Sequence, residues 1–163
     1  MSLHQAYLLT GSNLGNRSRY LQLAQVAIAA RVGRMIQNSS IYETAAWGKE
    51  DQPAFLNQVL HIETDLPPDA LMDTLLDIEL QLGRKRSTPL AARTIDIDVL
   101  LYDDLCYESA RITLPHPALH LRRFVLTPLA EIAPEKKHPV LHQQVSNLLQ
   151  HCTDPLAVRV LAP

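Results

Sequence analysis

The sequence has 163 residues, of which 47% are hydrophobic and 20% are charged, and its formal net charge at pH 7 is −2. This composition excludes an intrinsically disordered chain, and the lack of a basic excess argues against non-specific nucleic-acid binding. Single domains commonly have ~100–150 residues, so we expect residues 1–163 to form one domain.

Targeting and membrane signals are missing from the sequence. The first residues do not read as a signal peptide, and no apolar run approaches the ~20 residues of a membrane span. The two cysteines, Cys106 and Cys152, are too few for a disulfide framework. We therefore expect a cytoplasmic protein with reduced thiols, without membrane or nucleic-acid partners and without an obligate protein partner.

The first half of the chain is predicted to form a strand, a helix and two further strands. Asn16 is a candidate N-cap for the helix, and Gly33 is a candidate for its C-terminal stop. Apolar residues recur at helical spacing between these two positions. The predicted ranges are a strand over 5–10, a helix over 17–32, and strands over 35–42 and 55–64.

The second half predicts a helix, a strand, a hairpin and two shorter helices. The pair Pro67-Pro68 is typical of a first helical turn, and Gly83 is typical of a helix end. The remaining predicted ranges are a strand over 95–102, a hairpin over 107–114, and helices over 121–133 and 143–152. The core order is that of a ferredoxin-like βαββαβ fold of the α+β class, with an added hairpin and C-terminal helices.

Two aspartates lie close together in the apolar strand over 95–102. Because side chains alternate along a strand, Asp96 and Asp98 share one face, and their apolar neighbours point to the other. Two carboxylates in this setting need compensation, and Mg²⁺ prefers a few carboxylates together with substrate phosphates. The alternative is a solvated strand face that binds no ligand.

A basic loop precedes this strand. It contains Arg84, Lys85, Arg86 and Arg93. Arginine is suited to bidentate contacts with phosphate, so a basic loop beside an acidic pair indicates a site for metal and polyphosphate together. A charged surface loop without a ligand is the alternative. The sequence contains no Walker A motif, which excludes a P-loop enzyme.

Four sequence blocks together resemble one known family. They are Gly11-Ser12-Asn13-Leu14-Gly15; Asp51-Gln52-Pro53-Ala54-Phe55-Leu56-Asn57; Glu79 with Leu82-Gly83-Arg84-Lys85-Arg86 and Arg93-Thr94-Ile95-Asp96-Ile97-Asp98; and Leu114-Pro115-His116-Pro117 with Arg122-Arg123-Phe124. In this order and spacing they resemble the 6-hydroxymethyl-7,8-dihydropterin pyrophosphokinases of folate biosynthesis. The resemblance covers nearly the whole chain.

The resemblance implies an enzyme, an ATP-dependent 2-amino-4-hydroxy-6-hydroxymethyldihydropteridine diphosphokinase. Members of the family transfer a pyrophosphoryl group from ATP to the hydroxymethyl group of the pterin and leave AMP. By the same resemblance, Asp96 and Asp98 would hold two Mg²⁺ ions that bridge the ATP phosphates. One of these aspartates would also help to deprotonate the substrate hydroxyl.

The resemblance also assigns roles to single residues. Arg84 and Arg93 match phosphate-binding arginines that act with the two aspartates in catalysis. The expected nucleotide-side residues are Arg86 and His116, together with Arg111 and Arg122, which match basic positions near the nucleotide or the pterin. The expected pterin-side residues are Phe55 and Phe124, which would stack on the ring, Asn57, which would read its edge, and Thr44 and Ala45, whose backbone would contact it. Asn13 lies in a loop that covers the site in the family.

Several of these residues have structural alternatives. Phe55 and Phe124 also suit an apolar core, Asn57 also suits a strand backbone, and Glu79 could organise Arg84 or Arg93. The histidine pairs at 116 and 120 and at 138 and 142 have the i, i+4 spacing of zinc ligands. A proline follows the first member of each pair, and no third ligand lies near in sequence, so we do not expect zinc.

The loop before Arg93 departs from the family pattern. Many members carry Trp-Gly-Pro where this sequence has Leu90-Ala91-Ala92, in a loop that closes over both substrates.

Three other functions stay open: an RNA-binding module of similar fold, a regulatory ligand-binding domain, and a family member that has lost activity. The lack of an RNP1 motif argues against the first, and the intact Asp96, Asp98 and Arg93 argue against the third.

Overall fold

The structure, a computed structural model, describes residues 2–45, 53–84 and 93–161 and is built on one antiparallel sheet. The strands are β1 (His4–Ser12), β2 (Gly33–Asn38), β3 (Tyr42–Thr44), β4 (Phe55–Thr64), β5 (Asp96–Tyr102), β6 (Tyr107–Glu108), β7 (Thr113–Leu114) and β8 (Val158–Val160). The main sheet has the order β5-β1-β4-β3-β8, and β2 also pairs with β4. The strands β6 and β7 form the separate hairpin expected from the sequence.

Within the described ranges, four α-helices cover the two faces of this sheet. They are α1 (Arg17–Arg31), α2 (Pro68–Gln81), α3 (Arg123–Ile132) and α4 (Val145–Gln150). One apolar cluster joins α1 and α2 to residues such as Leu8 and Leu60, while a second joins α3 and α4 to Leu9 and Val59. Neighbouring residues on a strand point to opposite faces, so the two clusters lie on opposite sides of the sheet. The α+β class and the βαββαβ order are confirmed.

Local signals at several element ends act as the sequence suggests. Asn16 caps α1, because its side-chain oxygen accepts a hydrogen bond of 3.1 Å from the backbone N–H of Arg19. Strand β4 has the predicted bounds. Helix α2 begins at Pro68, and Gly83 follows it with a φ of 90°, which is the left-handed conformation that glycine adopts readily.

The predicted strand over 35–42 is wrong, because it is divided into β2 and β3. Ser39, between them, takes its hydrogen bonds from β4 in an irregular way. Its hydroxyl accepts from the N–H of Val59 at 2.9 Å, and its carbonyl accepts from the side chain of Gln58 at 2.8 Å. The next residue, Ser40, bonds instead to the carboxylate of Glu131. The N–H of Ser39 still donates to the carbonyl of Val59 at 2.9 Å, but polar side chains interrupt the regular ladder at this point.

The expected role of Gly33 as a helix stop is also wrong. Helix α1 ends at Arg31, with Val32 as its C-cap, and Gly33 is the first residue of β2. A Cβ atom at Gly33 would lie 2.1 Å from the carbonyl oxygen of Glu63 on β4. Glycine is needed here because the two backbones approach closely, not because the helix ends.

The C-terminal helices are shorter than predicted. The range 121–133 contains the end of a 3-10 turn (Leu119–Leu121) and then α3, and the range 143–152 contains α4. Strand β8 was not predicted, since three residues offer too little alternation to detect. None of the helices within the described ranges is long and apolar enough to span a bilayer.

His138 gives the fold a pH-dependent element away from the sheet. Its buried ring accepts hydrogen bonds at Nδ1 from the backbone N–H groups of Val140 and Leu141, at 3.2 and 3.0 Å. Burial lowers the pKa of the His138 imidazole, and the charges of His120 and His142 lower it further. The folded protein therefore holds the neutral ring, while the unfolded chain takes up a proton near pH ~6.5.

We expect the stabilisation that the neutral His138 ring contributes to be complete above that pH. The free energy of unfolding should then fall as the pH drops through the folded-state pKa of His138. In His138→Asn, the side-chain oxygen can accept the same bonds without titrating, so this variant should lose less stability on acidification. Urea unfolding at pH 8, 6.5 and 5 measures the difference, with the exposed His151→Asn as control. Equal pH slopes for His138→Asn and the wild type would contradict this account.

Candidate active site

Candidate residues on β4 and β5 share one face of the sheet, on either side of β1. On β5, Asp96 lies opposite Gly11 of β1 and Asp98 lies opposite Leu9. On the other side of β1, Gly11 lies opposite Asn57 of β4. Because Leu9 belongs to the cluster of α3 and α4, this face is the one that α3 covers. The register therefore places Asp96, Gly11 and Asn57 in one row across the sheet, with Asp98 on the same face in the next row.

Gly11 makes room for Asn57 in this row. A Cβ atom at Gly11 would lie 2.8 Å from the side-chain oxygen of Asn57 and 3.6 Å from the ring of Phe55. Gly11 lies one residue beyond the predicted strand over 5–10, and the structure places it inside β1. Glycine at this position allows the side chain of Asn57 to approach the backbone of β1 closely. This requirement arises from the pairing of β1 with β4.

Asp96 is held by two guanidinium groups. Nη1 of Arg84 contacts one carboxylate oxygen of Asp96, and Nη1 of Arg93 donates to the other at 3.0 Å. Arg84 also pairs with Glu79, at 3.1 Å between Nη1 and Oε1. These groups are largely shielded from solvent, since Arg84 is 13% exposed and Glu79 is 1% exposed. Arg84 and Arg93, which flank the undescribed part of the basic loop, thus both contact Asp96, and Glu79 organises Arg84.

Glu79 also fixes the strand that carries the aspartates. Its Oε2 accepts a hydrogen bond of 2.7 Å from the backbone N–H of Ile97, the residue between Asp96 and Asp98. The sequence contains a signal for this burial, because Glu79 follows the helical period of Leu71, Leu75 and Ile78. A carboxylate on the buried face of a helix requires partners, and α2 supplies it to the site.

Asp98 lies in an electrostatically unfavourable position. Desolvation raises its pKa to about 7, and the negative charges of Asp96 and Glu79 raise it as well, against the opposing effect of Arg84 and Arg93. A cation between the two aspartates would relieve this repulsion. Carboxylate oxygens are the ligands that Mg²⁺ prefers, so the donor set fits a hard divalent cation. In the described parts of the chain, no group of three or more His, Cys, Asp or Glu residues forms a further metal centre.

Asn13 joins the segments on either side of the site. Its side-chain oxygen accepts a hydrogen bond from the backbone N–H of Arg93 at 2.7 Å. The backbone N–H of Asn13 donates to the backbone carbonyl of Arg93 at 3.0 Å. Its amide nitrogen donates to the carbonyl of Pro53 at 3.3 Å. Asn13 is fully buried. Arg93 is therefore fixed at its backbone as well as through Asp96.

The expected pterin-side residues lie on β3, β4 and α3. Thr44 pairs with Phe55 across β3 and β4, and Tyr42 pairs with Asn57. Phe55 and Phe124 are half-buried, and Phe124 packs on the cluster of α3 and α4. Among the residues that the structure describes, Thr44 Oγ1 and Asn57 Nδ2 are buried without a hydrogen-bond partner. Buried polar atoms without partners are costly, and a ligand with polar edge atoms would satisfy them. Ala45 is exposed just after β3.

The expected nucleotide-side residues have different placements. His116 is half-buried, and its Nδ1 accepts from the N–H of Ala118 at 3.1 Å, so the neutral ring carries its proton on Nε2. Burial lowers the pKa of His116, Asp96 opposes this effect, and Arg122 adds to it. Arg111 is exposed in the hairpin and pairs with Asp73 of α2 instead, at 2.8 Å. Arg86 and the segment 90–92 lie outside the described residues.

Sequence comparisons identify the family. The model described as 7,8-dihydro-6-hydroxymethylpterin-pyrophosphokinase (HPPK) matches residues 7–134. The 2-amino-4-hydroxy-6-hydroxymethyldihydropteridine pyrophosphokinase of Methylorubrum extorquens is 44% identical over 132 residues, which are 80% of this chain and 84% of that protein. The enzyme of the same name from Haemophilus influenzae is 36% identical over 156 residues, or 95% and 97% of the two chains. The folic acid synthesis protein fol1 of Schizosaccharomyces pombe is 39% identical over 145 residues, and the chain spans only 20% of its length.

Solved structures share the fold. The structure titled as HPPK-DHPS in complex with substrates has a TM-score of 0.73 with 15% identity, over 91% of this chain and 44% of that one. The Plasmodium falciparum HPPK-DHPS with pteroate has a TM-score of 0.74 with 16% identity, over 91% and 42%. This chain therefore spans less than half of either solved chain. From the match over residues 7–134 and the relatives of similar length, the chain belongs to the 7,8-dihydro-6-hydroxymethylpterin-pyrophosphokinase family.

Proposed function

We propose that this chain transfers the pyrophosphoryl group of ATP to the hydroxymethyl group of 6-hydroxymethyl-7,8-dihydropterin, in folate biosynthesis. The observation that carries the proposal is the placement of Asp96, Asp98 and Asn57 on one face of the sheet, with Arg84 and Arg93 on Asp96. In the reaction the hydroxymethyl oxygen bonds to the β-phosphorus of ATP, and the bond from that phosphorus to the oxygen shared with the α-phosphate breaks. AMP leaves with that oxygen, and the hydroxyl proton passes to solvent.

Asp96 and Asp98 are the residues that would hold Mg²⁺, and we propose two ions. Bound there, Mg²⁺ supplies positive charge to the phosphate oxygens during transfer. Arg84 and Arg93 keep the carboxylate of Asp96 oriented. Their guanidinium groups face the same place, so they would bind the phosphates when ATP enters, as would Arg86 from the neighbouring loop.

The nucleotide and the pterin would lie on opposite sides of the transferred group. His116 offers its Nε2–H to the nucleotide, and Arg122 adds positive charge beside it. Arg111 would bind the nucleotide only after it leaves Asp73. On the pterin side, Phe55 and Phe124 would stack on the ring, and the buried amide of Asn57 would bond to its edge. Thr44 and Ala45 would contact the ring through their backbone.

The nucleotide product tests this function directly. Purified protein is incubated with ATP, Mg²⁺ and 6-hydroxymethyl-7,8-dihydropterin, and the products are separated by chromatography. We expect AMP that depends on the pterin and is lost with EDTA. ADP would show an ordinary kinase, and bound ATP without turnover would show a regulatory domain. Affinity for single-stranded RNA that falls with salt would favour an RNA-binding module.

The assignment of Phe124 to the pterin has its own test. We expect Phe124→Ala to raise the KM for the pterin by about tenfold, since the stacking of a flat ring on an aromatic side chain is worth about 1–3 kcal/mol. The KM for ATP should change little. Phe124→Leu keeps most of the apolar volume but removes the ring, so it separates stacking from packing. An unchanged pterin KM in both variants would show that the ring binds elsewhere.

A further inference from the structure

The segment over 152–161, which we name the clasp segment, contacts both sides of the proposed pterin site. It lies beyond residue 134, where the match to the family model ends. One of its ends contacts the start of α3, which carries Phe124. The other end forms β8 and pairs with β3, which carries Thr44.

The first contact is an N-cap that comes from outside the helix. Arg122 occupies the N-cap position of α3, but its own side chain makes no capping bond. Oδ2 of Asp154 accepts from the backbone N–H of Arg123 at 3.0 Å instead. Oδ1 of Asp154 accepts from the N–H of Leu156 at 3.1 Å, which keeps the carboxylate in place. Asp154 is buried, so a capping bond here orients the first turn of α3.

Arg123 strengthens the same contact in the opposite direction. Its guanidinium donates to the backbone carbonyl of Cys152 at 2.8 Å and to that of Asp154 at 3.2 Å. Backbone and side chain of Arg123 are therefore both bound to the clasp segment. The next residue is Phe124, whose ring position follows from the direction in which α3 begins.

The second contact supports a very short strand. Strand β3 has three residues, and it lies between β4 and β8 in the sheet. Thr44 pairs with Val158 on one side and with Phe55 on the other. The N–H of Leu161 donates to the carbonyl of Ile41 at 2.7 Å, which continues the pairing. Without β8, the strand that carries Thr44 would become an edge of only three residues.

Glu43 extends this support to the residue before Phe55. One of its oxygens accepts from Arg159 of β8 at 3.1 Å, and the other accepts from Arg17 at 3.1 Å. Arg17 also donates to the carbonyl of Ala54 at 2.8 Å. The clasp segment is thus linked through Glu43 and Arg17 to the backbone next to Phe55.

We propose that the clasp segment aligns the two walls of the pterin site, and that Asp154 is a positioning residue that acts through Phe124. The inference rests on the proposed function. The aspartates of the phosphate site lie on β5, at the edge of the sheet opposite β8. Arg122, the N-cap of α3, would act on the nucleotide through its charge, which depends less steeply on position than ring stacking does. Disturbance of the clasp should therefore weaken pterin binding much more than ATP binding or the chemical step.

Steady-state kinetics of Asp154→Ala, well below its unfolding temperature, test the proposal. We expect the pterin KM to rise about tenfold, because a misplaced Phe124 ring binds the pterin more weakly. The ATP KM and kcat should stay within about twofold of the wild-type values. Asp104→Ala, which removes an exposed acid paired with Lys136, is the matched control. In Phe124→Ala, adding Asp154→Ala should have little further effect, because coupled residues are non-additive. The role of Asp154 would be overturned if the two substitutions had additive effects on the pterin KM. It would also be overturned if Asp154→Ala raised the pterin KM and the ATP KM equally.

A second pair of variants tests the strand contact if Asp154→Ala does not fold. Leu161→Ala and Leu161→Pro both remove the side chain, but only proline removes the N–H that bonds to Ile41. We expect the larger rise in pterin KM for Leu161→Pro, and equal values would overturn the role of β8. The wild type is assayed first for pterin-dependent AMP. An inactive wild type would overturn the proposed function, whereas an active wild type with unaffected variants would overturn this inference alone.

Discussion

Replacing Asp96 or Asp98 by asparagine is expected to lower kcat by about 100-fold or more, the size of loss that follows removal of a group that stabilises transition-state charge. Both aspartates face the same side of β5, next to Arg84 and Arg93. Asparagine keeps the shape of the side chain but removes the negative charge that would hold Mg²⁺. Turnover should therefore fall while the fold is kept. Steady-state formation of AMP and the urea unfolding midpoint measure the two effects.

Asp77→Asn provides the control for this pair. Asp77 lies on α2, half of its side chain is exposed, and its ion pair with Arg31 at 2.8 Å is a surface contact of the kind that contributes little. It should retain wild-type turnover. A variant of Asp96 or Asp98 with near-normal turnover would exclude that residue as a ligand of the catalytic metal.

The second large effect is expected at Arg93. Arg93→Ala should lower kcat by about 100-fold, because an arginine on transferred phosphates stabilises developing charge. Arg93→Lys keeps the charge but loses the planar group that donates two parallel bonds, so it should recover only part of the activity. The unfolding midpoint should change much less than the rate, since the two bonds from Asn13 to residue 93 described above are to its backbone and are kept in the variant.

Arg34→Ala is the control for Arg93. Arg34 is 72% exposed and pairs with Glu63, near the end of β4 away from Phe55. Its loss should leave the rate unchanged. If Arg93→Ala lowered the unfolding midpoint sharply and kept kcat, Arg93 would be a structural residue and the phosphate assignment would be wrong.

The parts of the site that follow from one strand or one helix could be predicted from the sequence. Alternation along β5 places Asp96 and Asp98 on the same face, and the helical period of α2 makes Glu79 a buried residue. The predicted range 55–64 matches the bounds of β4. Each of these features depends on residues that are neighbours in the chain, where periodicity carries the information.

Features that depend on contacts between distant segments could not be predicted in this way. The division between β2 and β3 depends on bonds from Ser39 and Ser40 to β4 and α3. The tight fit of Gly11 to Asn57 depends on the register of β1 and β4. Asp154 caps a helix 31 positions away, and no local pattern marks such a cap. The placement of Arg111 on Asp73 likewise depends on how the hairpin docks on α2.

The bond between Glu79 and Ile97 has a consequence for the association of whole molecules. Strand β5 is an edge of the sheet, and an edge strand with open N–H and C=O groups invites pairing with another chain. The carboxylate of Glu79 accepts a hydrogen bond from the backbone N–H of Ile97. The backbone N–H of His116 donates to the carbonyl of Leu100. These two contacts occupy one N–H and one carbonyl of β5, so they oppose the pairing of the strand that carries both aspartates with a strand of another molecule.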